Sequence, residues 1–227
     1  MTLKTAVRTK KVKARIFIVD DHPILRQGLT QLINQEADLS VCGEAEDTHA
    51  AFEAIGAVRP DIVIVDISLK NVDGIELIKK IRMRDDKLHI LVLSMHDEAL
   101  YAERALRAGA NGYIMKQEAA DQVVRAIRRV LGGEIYVSEK MGSKLLQKIV
   151  HRRYVGDSPV DTLSDRELEV FRLIGRGYRT RQIAEMLHVS VKTIESYREQ
   201  IKHKMKLRDA TELLQHAIQW VHGERPS

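Results

Sequence analysis

RIFIVDD (15–21), DIVIVD (61–66), ILVLS (90–94) and GYIMK (112–116) decide the fold of this chain. Each is a short apolar run that ends on a polar residue: the pair Asp20 and Asp21, then Asp66, Ser94 and Lys116. Helix-length segments separate the runs. Val/Ile-rich runs of this kind are what a parallel sheet requires, because its strands are covered on both faces. In an open parallel sheet, the carboxyl ends of the strands form the ligand crevice. The pattern therefore predicts that three carboxylates, one hydroxyl and one ammonium converge on a single pocket. Carboxylates held that close together do not all stay ionised without a cation among them. An all-oxygen pocket suits Mg²⁺. Mg²⁺ beside a lysine and a hydroxyl is what a transferring phosphoryl group needs.

Outward from these runs, strand and helix alternate five times between Arg15 and Val137. Helices are expected over 23–34, 48–57, 74–84, 98–107 and 119–131. Pro23 sits just inside the first, where its missing N–H is harmless. Helix 98–107 places Ala99, Ala102, Ala105 and Leu106 on one face. Repeated βα units with short connections imply an α/β domain at 15–137, a doubly wound five-stranded parallel sheet. The pattern weakens over 138–162, read as a linker. There EKMGSKLLQKIVHRRY (139–154) offers a helix through Leu145, Leu146 and Ile149, and GDSPVD (156–161) reads as loop.

Residues 163–227 carry no strand signal and form a small all-α domain. Ser164 with Glu167 three residues on is a capping box. The helix it opens buries Leu168, Val170, Phe171 and Ile174, and Gly175 and Gly177 end it. A short helix in RTRQIAEMLHVS (179–190) leads through a turn at His188–Ser190 to a longer one, VKTIESYREQIKHKM (191–205). Ile194, Tyr197, Ile201 and Met205 share a face of that longer helix. Asp209 caps a final helix.

Composition sets the class. Of the 227 residues, 44% are hydrophobic and 30% charged, ordinary for a globular protein. The longest apolar runs are strand-sized, too short to span a membrane. The N-terminal MTLKTAVRTKKVKAR is followed by too few apolar residues for a signal peptide. The single cysteine, Cys42, excludes an internal disulfide and is expected as a buried core thiol. A reducing cytoplasm fits these features. The net charge of +5 is unevenly spread. Residues 1–15 carry +6, 16–137 carry −6, 138–162 carry +2 and 163–227 carry +3. An acidic middle with basic flanks suggests one half that binds metal and one that meets a polyanion. The basic arm, 1–14, is expected to be disordered.

IFIVDDHPILRQGL, DIVIVDISLKNVDGIEL, ILVLSMHDE and RALRAGANGYIMKQEA resemble the receiver domain of bacterial response regulators, over residues 16–135. The resemblance implies that Asp66 accepts a phosphoryl group from a separate sensor histidine kinase. It implies Mg²⁺ held by Asp20, Asp21, Asp66 and the Ser68 carbonyl. Ser94 and Lys116 would bind the phosphoryl oxygens, and Tyr113 would be the switch aromatic. Ser94 stands where threonine is commoner, and Gln117 where many receivers have proline. A Mg²⁺-dependent phosphatase would place a second aspartate two residues after its nucleophile. Ser68 stands there, so the chain is not expected to be an enzyme.

LSDRELEVFRLIGRG, QIAEMLHVSVKTIESY and IKHKMKL resemble the LuxR-type helix-turn-helix that ends NarL/FixJ-type regulators, over 163–220. The implied function is phosphorylation-controlled transcription at double-stranded promoter DNA, with RNA polymerase as a further partner and a homodimer forming on phosphorylation. Arg179, Arg181, Lys192, Arg198, Lys202 and Lys204 are expected at phosphates, and Thr193, Glu195, Ser196 and Glu199 on the face that enters the groove. Glu195 and Ser196 are read as the base readers. Leu213, Leu214, Ala217, Ile218 and Val221 on the last helix are the dimer candidates.

Overall fold

The computed structural model describes residues 12–69, 74–118, 120–150 and 159–223. Most of the basic arm lies outside the described residues. The chain divides into two compact units, Met1–His151 and Arg152–Ser227.

In the first unit the strands are β1 (Ala14–Val19), β2 (Leu39–Ala45), β3 (Ile62–Val65), β4 (His89–Ser94) and β5 (Gly112–Met115). They pair in parallel in the order β2-β1-β3-β4-β5. The helices between and after them are α1 (Pro23–Gln35), α2 (Thr48–Val58), α3 (Gly74–Arg84), α4 (Glu98–Ala108) and α5 (Ala120–Leu131). All lie within one residue of the expected bounds.

The inner stretches of β1, β3, β4 and β5 are apolar because both faces of the sheet are covered there. Ile16, Ile18, Ile62, Ile64, Leu91, Leu93 and Ile114 pack with Leu29 and Ile33 of α1 and Val123, Val124 and Ile127 of α5. The alternate residues Phe17, Val19, Val63, Val65, Ile90 and Val92 are equally buried and turn to the opposite face, as successive strand residues must. Cys42 departs from expectation. It is only half-buried, because β2 is an edge strand, and its Sγ donates to the Ile16 carbonyl at 3.3 Å. On α4 the buried face is Tyr101, Ala102 and Ala105, whereas Ala99 is exposed. The larger ring takes the inward position, and Asp97 caps the helix by accepting from the Ala99 N–H.

The stretch 138–162 holds a helix, α6 (Glu139–Val150), that packs on α4 within the first unit. The Ser138 N–H donates to Glu98 Oε1 at 2.7 Å, and Lys144 Nζ donates to the Ala99 carbonyl at 3.4 Å. Its buried anchor is Met141, not Leu146, which is 63% exposed. The side chain of Ile149 lies outside the described residues.

The second unit holds α7 (Asp165–Gly175), α8 (Thr180–Met186), α9 (Val191–Met205) and α10 (Ala210–Gly223). The capping box forms: Glu167 N–H donates to Ser164 Oγ, and Ser164 N–H donates to Glu167 Oε2. Asp209 accepts from the amides of Thr211 and Glu212, which hold its carboxyl below the ordinary value. Leu168, Phe171, Ile174, Ile194 and Ile201 form the core with Leu213 and Ala217. The Trp220 ring packs against Phe171 at 5.7 Å. Leu213 and Ala217 are therefore fully buried between α10 and its neighbours and have no surface to offer a second copy. Leu214 and Ile218 are exposed and Val221 is half-buried. Among the described residues, no helix is long and apolar enough to cross a membrane.

The two glycines after the α7 core have different roles. Gly177 has φ +87° and makes the turn. Gly175 closes α7 against α10: a Cβ there would lie 2.3 Å from the Ala217 carbonyl oxygen. Gly175→Ala is therefore expected to destabilise the helical unit by about 1–3 kcal/mol. Urea unfolding followed by Trp220 fluorescence measures it.

Candidate functional site

The strand order reverses between β1 and β3, and that switch point is where a doubly wound sheet opens its crevice. Asp20 and Asp21 follow β1, and Asp66 follows β3 beside them. The ladder continues one residue past each strand and pins the site backbone. Asp20 N–H donates to the Ala45 carbonyl at 3.1 Å, Asp66 N–H to the Val19 carbonyl at 2.8 Å, and Lys116 N–H to the Ser94 carbonyl at 2.8 Å. Backbone hydrogen bonds in the sheet thus set the point from which each of these side chains starts.

Lys116 Nζ lies 2.7 Å from Asp66 Oδ2 and 2.7 Å from Asp20 Oδ2, with its side chain 4% exposed. Asp66 Oδ1 accepts from the Ser68 N–H at 2.9 Å. Burial pushes the Asp66 carboxyl above its ordinary value, and the Lys116 ammonium partly pulls it back. Ser94 is buried, and its Oγ accepts from the His96 N–H at 3.1 Å. Tyr113 is buried on β5, and its hydroxyl donates to the His96 carbonyl at 2.8 Å. The His96 ring stacks on Tyr101 of α4, with centroids 4.4 Å apart.

Two residues join the site that the strand-end pattern did not single out. Ligand atoms of Asp20, Asp21, His22 and Asp66 all lie within 4.8 Å of one another. Three carboxylates converge with one ammonium, so this donor set carries surplus negative charge and fits a divalent cation. The other is Gly74, where a Cβ would stand 2.4 Å from the Asp66 carbonyl oxygen. The signal for it was a glycine inside a helical pattern, where it is disfavoured against alanine.

The second unit carries a different surface. The turn before α9 places His188 at φ +53°, and Ser190 caps the helix by accepting from the Thr193 N–H. The Thr193 hydroxyl pairs with Ser190 Oγ at 2.7 Å, so it belongs to the cap. Lys192, Glu195, Ser196 and Glu199 are exposed on the outer face of α9. Ser196 Oγ donates to the Lys192 carbonyl at 3.1 Å. Arg198 is half-buried, Lys202 pairs with Glu199 at 2.9 Å, and Arg181 lies 3.6 Å from Glu185. Arg179 precedes α8, its N–H donating to Gln182 Oε1. Lys204 stands apart from the expected phosphate contacts. Its ammonium donates to buried Glu167 Oε2 at 2.6 Å and ties α9 to α7.

Removing Lys116 leaves Asp20 and Asp66 buried and facing one another. Lys116→Met is expected to cost the first unit about 3–5 kcal/mol. Denaturant unfolding in metal-free buffer checks it.

Comparison with known proteins covers both units. Residues 16–128 match the response regulator receiver domain, and 161–217 match the bacterial regulatory proteins of the luxR family. The oxygen regulatory protein NreC of Staphylococcus haemolyticus is 35% identical over 90% of this chain and 96% of its own length. The transcriptional regulatory protein DegU of Brevibacillus brevis is 31% identical over 92% and 95%. The structure of RcsB from Salmonella enterica serovar Typhimurium bound to a promoter with a phosphomimetic is 31% identical, with a TM-score of 0.55 over 90% of this chain and 98% of that one. The chain belongs to the NarL/FixJ-type response regulators, a receiver domain followed by a LuxR-type DNA-binding domain.

Proposed function

We propose that Asp66 accepts a phosphoryl group from the phosphohistidine of a separate sensor kinase, and that this controls binding of the helical unit to promoter DNA. The observation that supports this most directly is the shared Lys116 ammonium, 2.7 Å from both Asp20 and Asp66. In the transfer the N–P bond of the donor breaks and an O–P bond to the Asp66 carboxylate forms. Lys116 turns from its carboxylate partners to a phosphoryl oxygen. Mg²⁺ would be held by Asp20, Asp21, Asp66 and the Ser68 carbonyl, where it supplies positive charge against the phosphoryl oxygens. The product is a modified regulator, not a turned-over substrate.

Phosphorylation adds up to about −2 of charge and three strong acceptors. Ser94 is the hydroxyl placed to answer them. If its Oγ turns to the phosphoryl group it leaves the His96 N–H, whose carbonyl holds Tyr113 and whose ring stacks on α4. Helix α6 rests on α4 and leads along the chain toward the helical unit. A charge event at Asp66 thereby biases a packed element that the DNA-binding unit follows.

On DNA, Lys192, Arg198, Arg179 and Arg181 serve phosphates, and Glu195 serves base edges in the major groove. The exposed Leu214 and Ile218 of α10 are the residues left for contact between two copies. A phosphorylated homodimer reads half-sites about one helical turn apart. RNA polymerase is a further partner of the DNA-bound form.

Two experiments test these readings. With Mg²⁺ and a small-molecule phosphodonor, the wild type is expected to gain one phosphoryl mass and change its DNA affinity, and Asp66→Asn to do neither. Intact mass spectrometry and fluorescence anisotropy follow the two quantities; uptake by Asp66→Asn overturns the assignment. Lys192→Ala is expected to lower the salt dependence of DNA binding by about one unit of slope. Lys204→Ala is expected to leave that slope unchanged and to lower the stability of the helical unit, because its charge belongs to Glu167.

A further inference from the structure

β5 stands at the edge of the sheet, and an unpaired edge invites another strand. Here the chain itself returns from α5 to cover it. Tyr136 N–H donates to the Asn111 carbonyl at 3.0 Å, and Tyr113 N–H donates to the Tyr136 carbonyl at 2.8 Å. The approach is close, since a Cβ at Gly112 would stand 2.9 Å from the Tyr136 carbonyl oxygen. Two residues on, the Ser138 N–H donates to Glu98 Oε1 at 2.7 Å. Ser138 Oγ accepts from the Met141 N–H at 3.1 Å and so caps α6. Met141 is 2% exposed, and Lys144 Nζ donates to the Ala99 carbonyl at 3.4 Å. The segment is thus fastened first to β5 and then to the first turn of α4. The same two elements hold Tyr113 and, just before α4, His96, joined by the Tyr113 hydroxyl donating to the His96 carbonyl.

We propose that Ser138, Met141 and Lys144 form a latch that holds α6 on the first turn of α4 in the unphosphorylated protein, that phosphorylation opens it, and that the closed latch lowers DNA affinity. The inference rests on the reading of Asp66 as the phosphoacceptor. When Ser94 Oγ turns to a phosphoryl oxygen, the His96 N–H loses its acceptor. Glu98 and Ala99 lie two and three residues further along that backbone, so a shift at His96 reaches both grips on α6. The grips are slight: each hydrogen bond contributes little net stability, and only Met141 is buried deeply. A helix of 12 residues is marginal by itself in water, so α6 depends on the face it packs against. The Tyr136 ladder is backbone pairing on β5, so the opening begins at Ser138. Docked, α6 fixes where the chain leaves the first unit. Released, it adds its 12 residues to the tether of the helical unit, which is then less constrained in its approach to DNA.

The test reads amide hydrogen exchange over 139–147 by mass spectrometry, beside DNA affinity, on the full-length chain. Without phosphodonor, Met141→Ser is expected to speed exchange of these amides roughly tenfold or more. Glu98→Ala, which removes a grip without touching a buried apolar side chain, is expected to speed it less. Both variants are expected to move DNA affinity toward that of the phosphorylated wild type, while the amides of β1 and β3 stay protected. Leu146→Ser, at a position 63% exposed, is expected to change neither quantity. In wild type, uptake of one phosphoryl group is expected to speed the same α6 amides. Phosphorylated wild type with α6 exchange unchanged overturns the proposal. So does faster exchange in both variants with DNA affinity unaltered, or exchange unaltered in both. The variants are read without a phosphodonor, so they decide the latch by themselves. A wild type that takes up no phosphoryl group overturns the Asp66 reading and the trigger that rests on it.

Discussion

One buried ammonium, that of Lys116, makes the rest of the first unit workable. Carboxylates do not gather at the end of a dry sheet without opposing charge, because desolvation and mutual repulsion both act against their ionised forms. Lys116 answers two of them at once, at 2.7 Å each, from the end of β5, two strands from Asp66 and three from Asp20. It leaves the cluster short of neutral, and that shortage makes the site receptive to a cation. The same geometry keeps Asp66 ready. Its backbone is tied into the ladder, one oxygen is held by the Ser68 amide, and the other by Lys116.

The helical unit depends on a smaller version of the same logic. Glu167 is a capping-box residue, so it satisfies the backbone N–H of Ser164. It is also buried, which a lone carboxylate tolerates poorly. Lys204 resolves this by reaching from the last turn of α9. The helix proposed to face DNA is therefore positioned partly by an ion pair internal to the helical unit. The proposed DNA surface is left to Lys192, Arg198 and the residues before and within α8, set among exposed glutamates. That mixture weakens purely electrostatic binding and raises the share that base contacts must carry.

Much of this was legible in the chain. The strands, their order of appearance, the helices between them, the Ser164 and Asp209 caps and the set Asp20, Asp21, Asp66, Ser94 and Lys116 follow from local pattern and from the rule that strand ends face one crevice. Other positions were not legible. Ala99 and Tyr101 compete for the inner side of α4, and the helical period alone does not say which one the neighbouring helices receive. Leu213 and Ala217 read the same as Leu214 and Ile218 until α7 and α9 are in place to bury one pair. Cys42 looked like core because its run is strand-like, but an edge strand is only partly covered.

By itself, the sequence determined what depends on near neighbours: periodicity, capping, the polar residue that ends each apolar run, and hence the fold and the kind of chemistry. Tertiary structure alone decided the pairings between distant positions. Lys116 meets Asp66 across 50 residues and Lys204 meets Glu167 across 37. It also decided that His22 turns toward the aspartates and that Gly74 closes over Asp66. The physical reason is range. Backbone hydrogen bonding and helical or strand period act over a few residues. Close approach, burial and charge pairing depend on which surfaces the packed elements bring together.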